Sequence, residues 1–328
     1  DLQALAMLRR GEAEAAVVDR LIALGTLAAW PDGPRFAPLG VPVAVSGLHL
    51  AVSRASVDQA TLTLLDAAIR EVVADGTAAR LKAAEARPTL LRFAVASAPW
   101  LAWLDMIGTF AFALSGVLIA RRERWSVFGA LVLAALPAVA GGAIRDLLVG
   151  RRPIWILESP VPLSIVVGTV AAGWLAYRIY DAMRGRSLLL FDAANLYVRV
   201  RRVVPPRILH EVTDALGLSV LTVTGVLVAV RFGAEPLWLW GPLLAALTGA
   251  GGGILRDVVR FDPAIPGLRT SLYAEIPLAW GLLLSAAVLL LGREDQVALL
   301  LWTVLATVLG AFLTRMAVVA WRLPSPRV

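Results

Sequence analysis

The sequence predicts an α-helical membrane protein: seven transmembrane helices, as two inverted three-helix repeats plus one, with a small N-terminal α/β domain outside the cytoplasm. Three observations predict it. Hydrophobic residues make up 59% of the 328-residue chain and charged residues 17%, against about 45–50% and about 25% in a typical soluble domain. Seven apolar runs follow Pro99, each near the ~20 residues that cross ~30 Å of hydrocarbon as a helix. Short motifs from the first three runs return in the next three at nearly constant spacing, which marks an internal duplication.

Residues 1–95 form the first domain and contain no run long enough to span a membrane. Ala13–Leu24 is apolar enough for a core, and Val41–Ser53 reads as strand. Gln59–Ala84 has a helical period, with Leu62, Leu64, Leu65, Ala68, Ile69 and Val72 inward and Arg70, Glu71 and Asp75 outward. The chain begins at Asp1 without a Met, which leaves a removed leader or a longer chain open.

The spans are Leu101–Ala120, Val127–Val149 and Val161–Tyr180 in the first repeat (99–185). Val212–Val230, Leu237–Val259 and Ser271–Leu291 make up the second repeat (212–292), and Val297–Val319 stands alone with a short tail (293–328). The second and fifth are broken by glycines. Trp100, Trp103, Trp238 and Trp240 near span ends read as interface anchors. Arginine orients the whole. The links after spans one, three and five and the C-terminal tail carry most of it: Arg121, Arg122 and Arg124 after span one, seven arginines from Arg178 to Arg207 after span three. These loops are therefore placed in the cytoplasm with the C-terminus, and residues 1–95 outside. The net charge of +7 then serves orientation and anionic lipid headgroups rather than nucleic acid.

Asp105–Gly108 and Ser115-Gly116 of span one recur as Asp214–Gly217 and Thr224-Gly225, both at an offset of 109. Gly141-Gly142 and Arg145-Asp146 recur as Gly252-Gly253 and Arg256-Asp257 at an offset of 111. Three spans per unit is an odd number, so the second unit is inserted upside down, and inverted repeats place permeation sites at their interface. A lone glycine reads first as close helix packing. The matched runs Gly141, Gly142 and Gly251, Gly252, Gly253 read instead as breaks that free carbonyls toward a pathway. The Arg145-Asp146 and Arg256-Asp257 pairs have two readings of equal weight, snorkelling at a helix end or a functional pair at each mouth. Asp105 and Asp214 read as helix N-caps. Ser115 and Thr224 either line the pathway or bond back to their own helix.

With no cysteine and only His49 and His210, the chain offers no thiolate or histidine metal site, and no cofactor is expected. It shows no nucleotide loop, zinc motif or nucleophile elbow, so an enzyme is not expected.

Residues 101–324, through LDMIGTFAFALSG, GGAIRDLLVGRRPIW, DALGLSVLTVTG, GGGILRDV, Tyr273-Ala274 and Arg315 to Leu323-Pro324, resemble the trimeric intracellular cation (TRIC) channel family and its bacterial relatives with the glycine transporter domain. The resemblance implies a homotrimer in a bacterial inner membrane, a pathway inside each protomer, and glycine-kinked second and fifth helices lining it. Arg145, Asp146, Arg256 and Asp257 would support those helices. It makes K+ the expected permeant, with glycine as the alternative. A sensor built from the same parts is a third reading, weakened by the short cytoplasmic tail. One departure stands out: Asp192-Ala193 looks like the start of span four, but the better start is Asp214, so Ala194–Thr213 reads as a basic insertion, overlapping a cytoplasmic linker at 186–211. Residues 1–86 resemble the C-terminal part of a periplasmic solute-binding protein for amino acids, through residues 11–19, 47–53 and 64–77. That resemblance implies that Asp19 holds a ligand's α-amino group. Two expectations follow from the repeat. Gly252 or Gly253 replaced by Leu abolishes permeation with assembly intact, and loss of Arg145 or of Arg256 gives similar defects.

Overall fold

The computed structural model describes residues 2–30, 36, 59–78, 99–183, 206–261, 271–291 and 297–325. The chain divides into two units, with the boundary between Ser97 and Ala98.

In the first unit the described elements are helical: α1 (Leu2–Arg10), α2 (Arg20–Ala29) and α3 (Gln59–Ala74). The strand expected over Val41–Ser53 lies outside the described residues. Asp19 accepts the Ile22 N–H at 3.0 Å, so this carboxylate caps α2, satisfying one of its free amides. The inward face expected on α3 is not buried. Leu62 and Leu65 are half-buried, while Leu64, Ile69 and Val72 are exposed.

The second unit is α-helical. Its elements are α4 (Pro99–Arg122), α5 (Val127–Ala135), α6 (Gly141–Leu148), the short α7 (Trp155–Glu158), α8 (Val161–Met183), α9 (Pro206–Phe232), α10 (Leu237–Ala246), α11 (Gly252–Val259), α12 (Glu275–Leu291) and α13 (Val297–Trp321). Between α5 and α6 runs a π-helical turn, Leu136–Ala140, and between α10 and α11 another, Leu247–Gly251. Each π turn continues its helix, so α5–α6 and α10–α11 are single interrupted spans. Among the described residues six helices are long and apolar enough to cross a membrane, and the apolar α12 is shorter. Seven expected spans thus become six plus one helix of 17 residues.

Pro99 opens α4 in the first turn, where its missing N–H costs nothing, and Arg121 and Arg122 close it, favourable for the helix dipole. Ser126 caps α5 by accepting the Gly129 N–H at 3.1 Å. α9 starts at Pro206, inside the stretch expected to be insertion. As a result Asp105 and Asp214 lie within helices. They are not N-caps, and both are buried.

α9 is the central helix, with 83% of its most apolar window buried against 22% for α8. It packs on α4, α10 and α13. The α4–α9 register is antiparallel and pseudo-symmetric. A Cβ on Gly108 would meet the Leu221 side chain, and one on Gly217 would meet the Phe112 ring. Phe112 and Leu221 are themselves equivalents at the offset of 109. The same core holds Ala113, Val166, Leu218 and Ala250, all fully buried.

Candidate functional site: two charge clusters about a crossing of broken helices

The two interrupted spans cross at their π turns. A Cβ on Gly141 would lie 2.6 Å from the Leu247 carbonyl oxygen and 2.9 Å from that of Thr248. A Cβ on Gly252 would lie 2.5 Å from the Leu136 oxygen and 2.9 Å from the Pro137 oxygen. These four carbonyl residues are equivalents at the offset of 111, as are the glycines. Backbone meets backbone, and only glycine permits it. A π turn carries one residue more per turn than the α pattern accommodates, and such turns recur at functional sites. Pro137 sits in the first one and has no N–H to donate. The second has Thr248 in that place, whose hydroxyl bonds back to the Leu244 carbonyl at 2.6 Å. Gly141 and Gly252 are therefore packing glycines.

The next glycines differ between the halves. Gly142 is half-buried, and a Cβ there would come no nearer than 3.7 Å to the Arg145 guanidinium. Gly253 is buried beneath the Tyr273 hydroxyl, which a Cβ would strike. A Cβ on Gly251 would lie 3.2 Å from the Leu247 side chain.

One charge cluster gathers about Asp214. Arg256 donates from Nη1 to Asp214 Oδ1 at 2.9 Å and to Ser115 Oγ at 3.2 Å, and from Nε to Asp257 Oδ1 at 3.0 Å. Ser115 Oγ also stands 2.9 Å from His210 Nδ1 and 3.4 Å from Asp214 Oδ1. Arg256 thereby ties α4, α9 and α11 together. Beside it Arg315 of α13 donates to the Leu272 carbonyl at 3.1 Å and to Glu211 at 3.3 Å, and its guanidinium lies 4.8 Å from the Tyr273 ring centroid. The last span, which has no counterpart in the repeats, reaches into this cluster.

The second cluster gathers about Asp105. There Thr224 bonds back to the Leu221 carbonyl at 3.1 Å. Arg145 turns Nε and Nη2 onto Asp146 Oδ1, at 2.9 and 2.8 Å. Asp146 Oδ2 accepts the Trp155 N–H at 2.9 Å, with Arg151 at 3.6 Å. Arg145 Nη1, the counterpart of the nitrogen that bridges Asp214 and Ser115 in the other half, has no hydrogen-bond partner. The two halves share residues and differ in wiring. Asp105 and Ser115 are ten residues apart on α4, so at 1.5 Å rise the clusters stand about 15 Å apart along it. Arg145 and Arg256 are 1% and 3% exposed, which excludes the snorkelling reading: both guanidinia are held inside protein.

The family model described as "Glycine transporter" matches residues 102–178 and 211–291, the two repeats in turn. The inner membrane protein YadS of Escherichia coli K12 is 34% identical over 229 residues, covering 68% of this chain and 94% of that protein. The chain belongs to the UPF0126 family. A second UPF0126 membrane protein, from Vibrio cholerae, is 32% identical over 224 residues, 68% of this chain and 80% of its own. Among solved structures, the TRIC trimeric intracellular cation channel orthologue from Rhodobacter sphaeroides superposes with a TM-score of 0.50 at 28% identity, over 68% of this chain and 99% of that one. A prokaryotic TRIC channel crystallised in 0.5 M KCl gives 0.50 at 25% identity, over 67% and 96%.

Sequence reasoning did not single out His210, Glu211, Glu123 or Arg260 in this UPF0126 protein. None lies in a repeated motif, and the repeat was the signal that selected residues. Arg260 donates to Asp257 Oδ1 at 3.1 Å and forms a two-point ion pair with Glu123, on the link between α4 and α5. A chain of charges thus runs from that link through Arg260 and Asp257 to Arg256. Partial burial pushes the Glu123 carboxyl up, but the bonds from Arg260 and the Trp125 indole outweigh it and hold it below its ordinary range. A carboxyl depressed in the fold stabilises fully above its unfolded value and loses that contribution as pH falls through the folded value. Melting temperature is accordingly expected to fall below about pH 4, around the ordinary Glu value, with a smaller fall in Glu123→Gln. Parallel pH curves for the two proteins would remove the pair from the stability account.

Proposed function

We propose that this protein is a permeation protein of the TRIC type, passing a monovalent cation, K+, along a pathway inside each protomer of a homotrimer. The crossing of two π-interrupted helices at matching positions carries the reading. A π turn loosens the backbone hydrogen-bond ladder where two helices meet at the centre of a pseudo-symmetric bundle, and irregular backbone inside a membrane persists where it is buried in protein or lines a cavity. Carbonyls at such a break can replace part of a cation's hydration shell. The solved neighbours that match at TM-scores of 0.50 are described as TRIC channels, which supports the same reading. Ser115, Thr224, Gly142, Gly251 and Gly253 are assigned to the pathway, and Gly141 and Gly252 to the crossing that forms it. Arg145, Asp146, Arg256 and Asp257 are assigned to its two ends. In the orientation given by arginine, the C-terminus is cytoplasmic and residues 1–97 lie outside a bacterial inner membrane.

The alternative permeant is a small amino acid, glycine, as the family model's description favours. In that version residues 1–97 assist, with Asp19 presenting a carboxylate to the α-amino group. Capping α2 occupies one oxygen of that carboxylate.

The deciding experiment records purified protein in planar bilayers with KCl beside glycine uptake into liposomes. Stepwise K+ current without saturable glycine uptake is expected. Saturable uptake with no unitary current would replace the channel by a transporter.

A further inference from the structure

We propose that His210 is a proton-operated release for the Arg256 clasp, so that acidification frees Arg256 from Asp214 and opens that end of the pathway. The inference rests on the pathway lying between the two repeats.

The geometry begins at Ser115 Oγ, which has one proton and several neighbours. Arg256 Nη1 can only donate to it. The Ser115 proton then goes to one of two acceptors, His210 Nδ1 at 2.9 Å or Asp214 Oδ1 at 3.4 Å. The shorter contact assigns it to Nδ1. In the clasped arrangement we take His210 as a neutral ring that accepts at Nδ1 and carries its proton on Nε2. Proton uptake turns Nδ1 into a donor and reverses that bond.

The consequence follows from where the partners sit. His210 and Asp214 are four residues apart on α9, the spacing at which helical side chains meet. A protonated His210 offers Asp214 a cation from its own helix. Arg256 offers one from α11. The first pairing needs no second helix, so it replaces an inter-helix bond with a bond inside α9. The charged groups that act on His210 are Asp214 on its own helix, Arg256 and Arg260 from α11 and its end, and Arg315 from α13; Glu211, next to it in sequence, pairs with Arg315, which lies against the Tyr273 ring. A further positive charge among three arginines favours the departure of Arg256, the one that holds Asp214 and also has Asp257 at 3.0 Å.

The opposite half shows what a released arginine looks like. Arg145 holds only its neighbour Asp146, its Nη1 bridges nothing, and Gly142 beside it is half-buried where Gly253 is sealed under Tyr273. The position equivalent to His210 in the first repeat is Leu101. The proton switch belongs to one end only.

The test uses the full chain, which holds two histidines, and the variant His210→Gln, whose amide oxygen accepts the Ser115 proton but does not titrate. K+ current is measured over roughly pH 8 to pH 4, around the ordinary histidine range. Open probability is expected to rise at least tenfold on acidification in the wild type and to stay flat in His210→Gln. A flat wild-type profile, or the same rise in the variant, overturns the proposal and leaves the channel reading standing. If neither protein conducts at any pH, the channel reading fails, and thermal unfolding decides the proposal alone. A melting temperature that drops further with acid in the wild type than in His210→Gln supports the release. Parallel melting curves overturn it.

Discussion

Gly141→Leu and Gly252→Leu are each expected to cost the protein its folded state in detergent, to a similar degree. Both would drive a side chain into two carbonyl groups of the facing π turn, at 2.5–2.9 Å from an ideal Cβ alone. Overpacking a core that can shift flexible side chains costs about 1–3 kcal/mol. Here the obstacle is backbone on both sides, so the cost exceeds that range. The change at Gly252 was expected from sequence to spare assembly, and the close crossing reverses that expectation. Gly142→Ala is the matched control, because its Cβ meets nothing nearer than 3.7 Å. It is expected to purify as the wild type does. Monodisperse elution and an unchanged melting temperature for Gly252→Leu would refute the crossing. Equal loss in Gly142→Ala would show that any added side chain in this stretch is harmful, whatever it faces.

Arg256→Ala is expected to destabilise the protein far more than Arg145→Ala. Removing Arg256 strips Asp214 of its ion pair and breaks the tie among α4, α9 and α11, while Asp257 keeps Arg260. Breaking a buried pair from one side costs about 3–5 kcal/mol, because a buried charge is left uncompensated. Removing Arg145 leaves Asp146 with the Trp155 N–H and Arg151. All its lost bonds are to a neighbour in sequence, so no helix is untied. Thermal unfolding of the two variants beside the wild type measures the difference. The repeat alone predicts equal effects, and equal effects would mean that the unlike wiring of the two halves carries no energy.

Much of the site was legible because a duplicated sequence compares itself with itself. The pairs Asp105 and Asp214, Ser115 and Thr224, Arg145-Asp146 and Arg256-Asp257 stood out at constant offsets, and the fold sends one member of each pair to each of two clusters. What each residue does there was less legible. Asp105 and Asp214 looked like N-caps because hydropathy sees a helix begin where its apolar run begins. The first turns of α9, from Pro206, are too polar to join that run, and in α4 Asp105 is the charge that interrupts the apolar run six residues after Pro99. Arg145 and Arg256 looked able to snorkel because span length places them near an interface, and length does not say what surrounds a side chain. In the first unit, the helical period of α3 was correct while the face it predicted as core is exposed.

Composition, run length and the repeated motifs determined on their own that this is a helical membrane protein of two related units, since burying apolar surface in lipid and duplicating a sequence both leave one-dimensional traces. Tertiary structure alone decided which glycines pack and which stay open, that Arg256 is clasped while Arg145 is not, and that His210, Arg315 and Glu123 belong to the same network. Those facts depend on distances between residues about 100 positions apart in a chain folded back on itself. Two copies of one motif carry the same letters whichever arrangement each copy adopts.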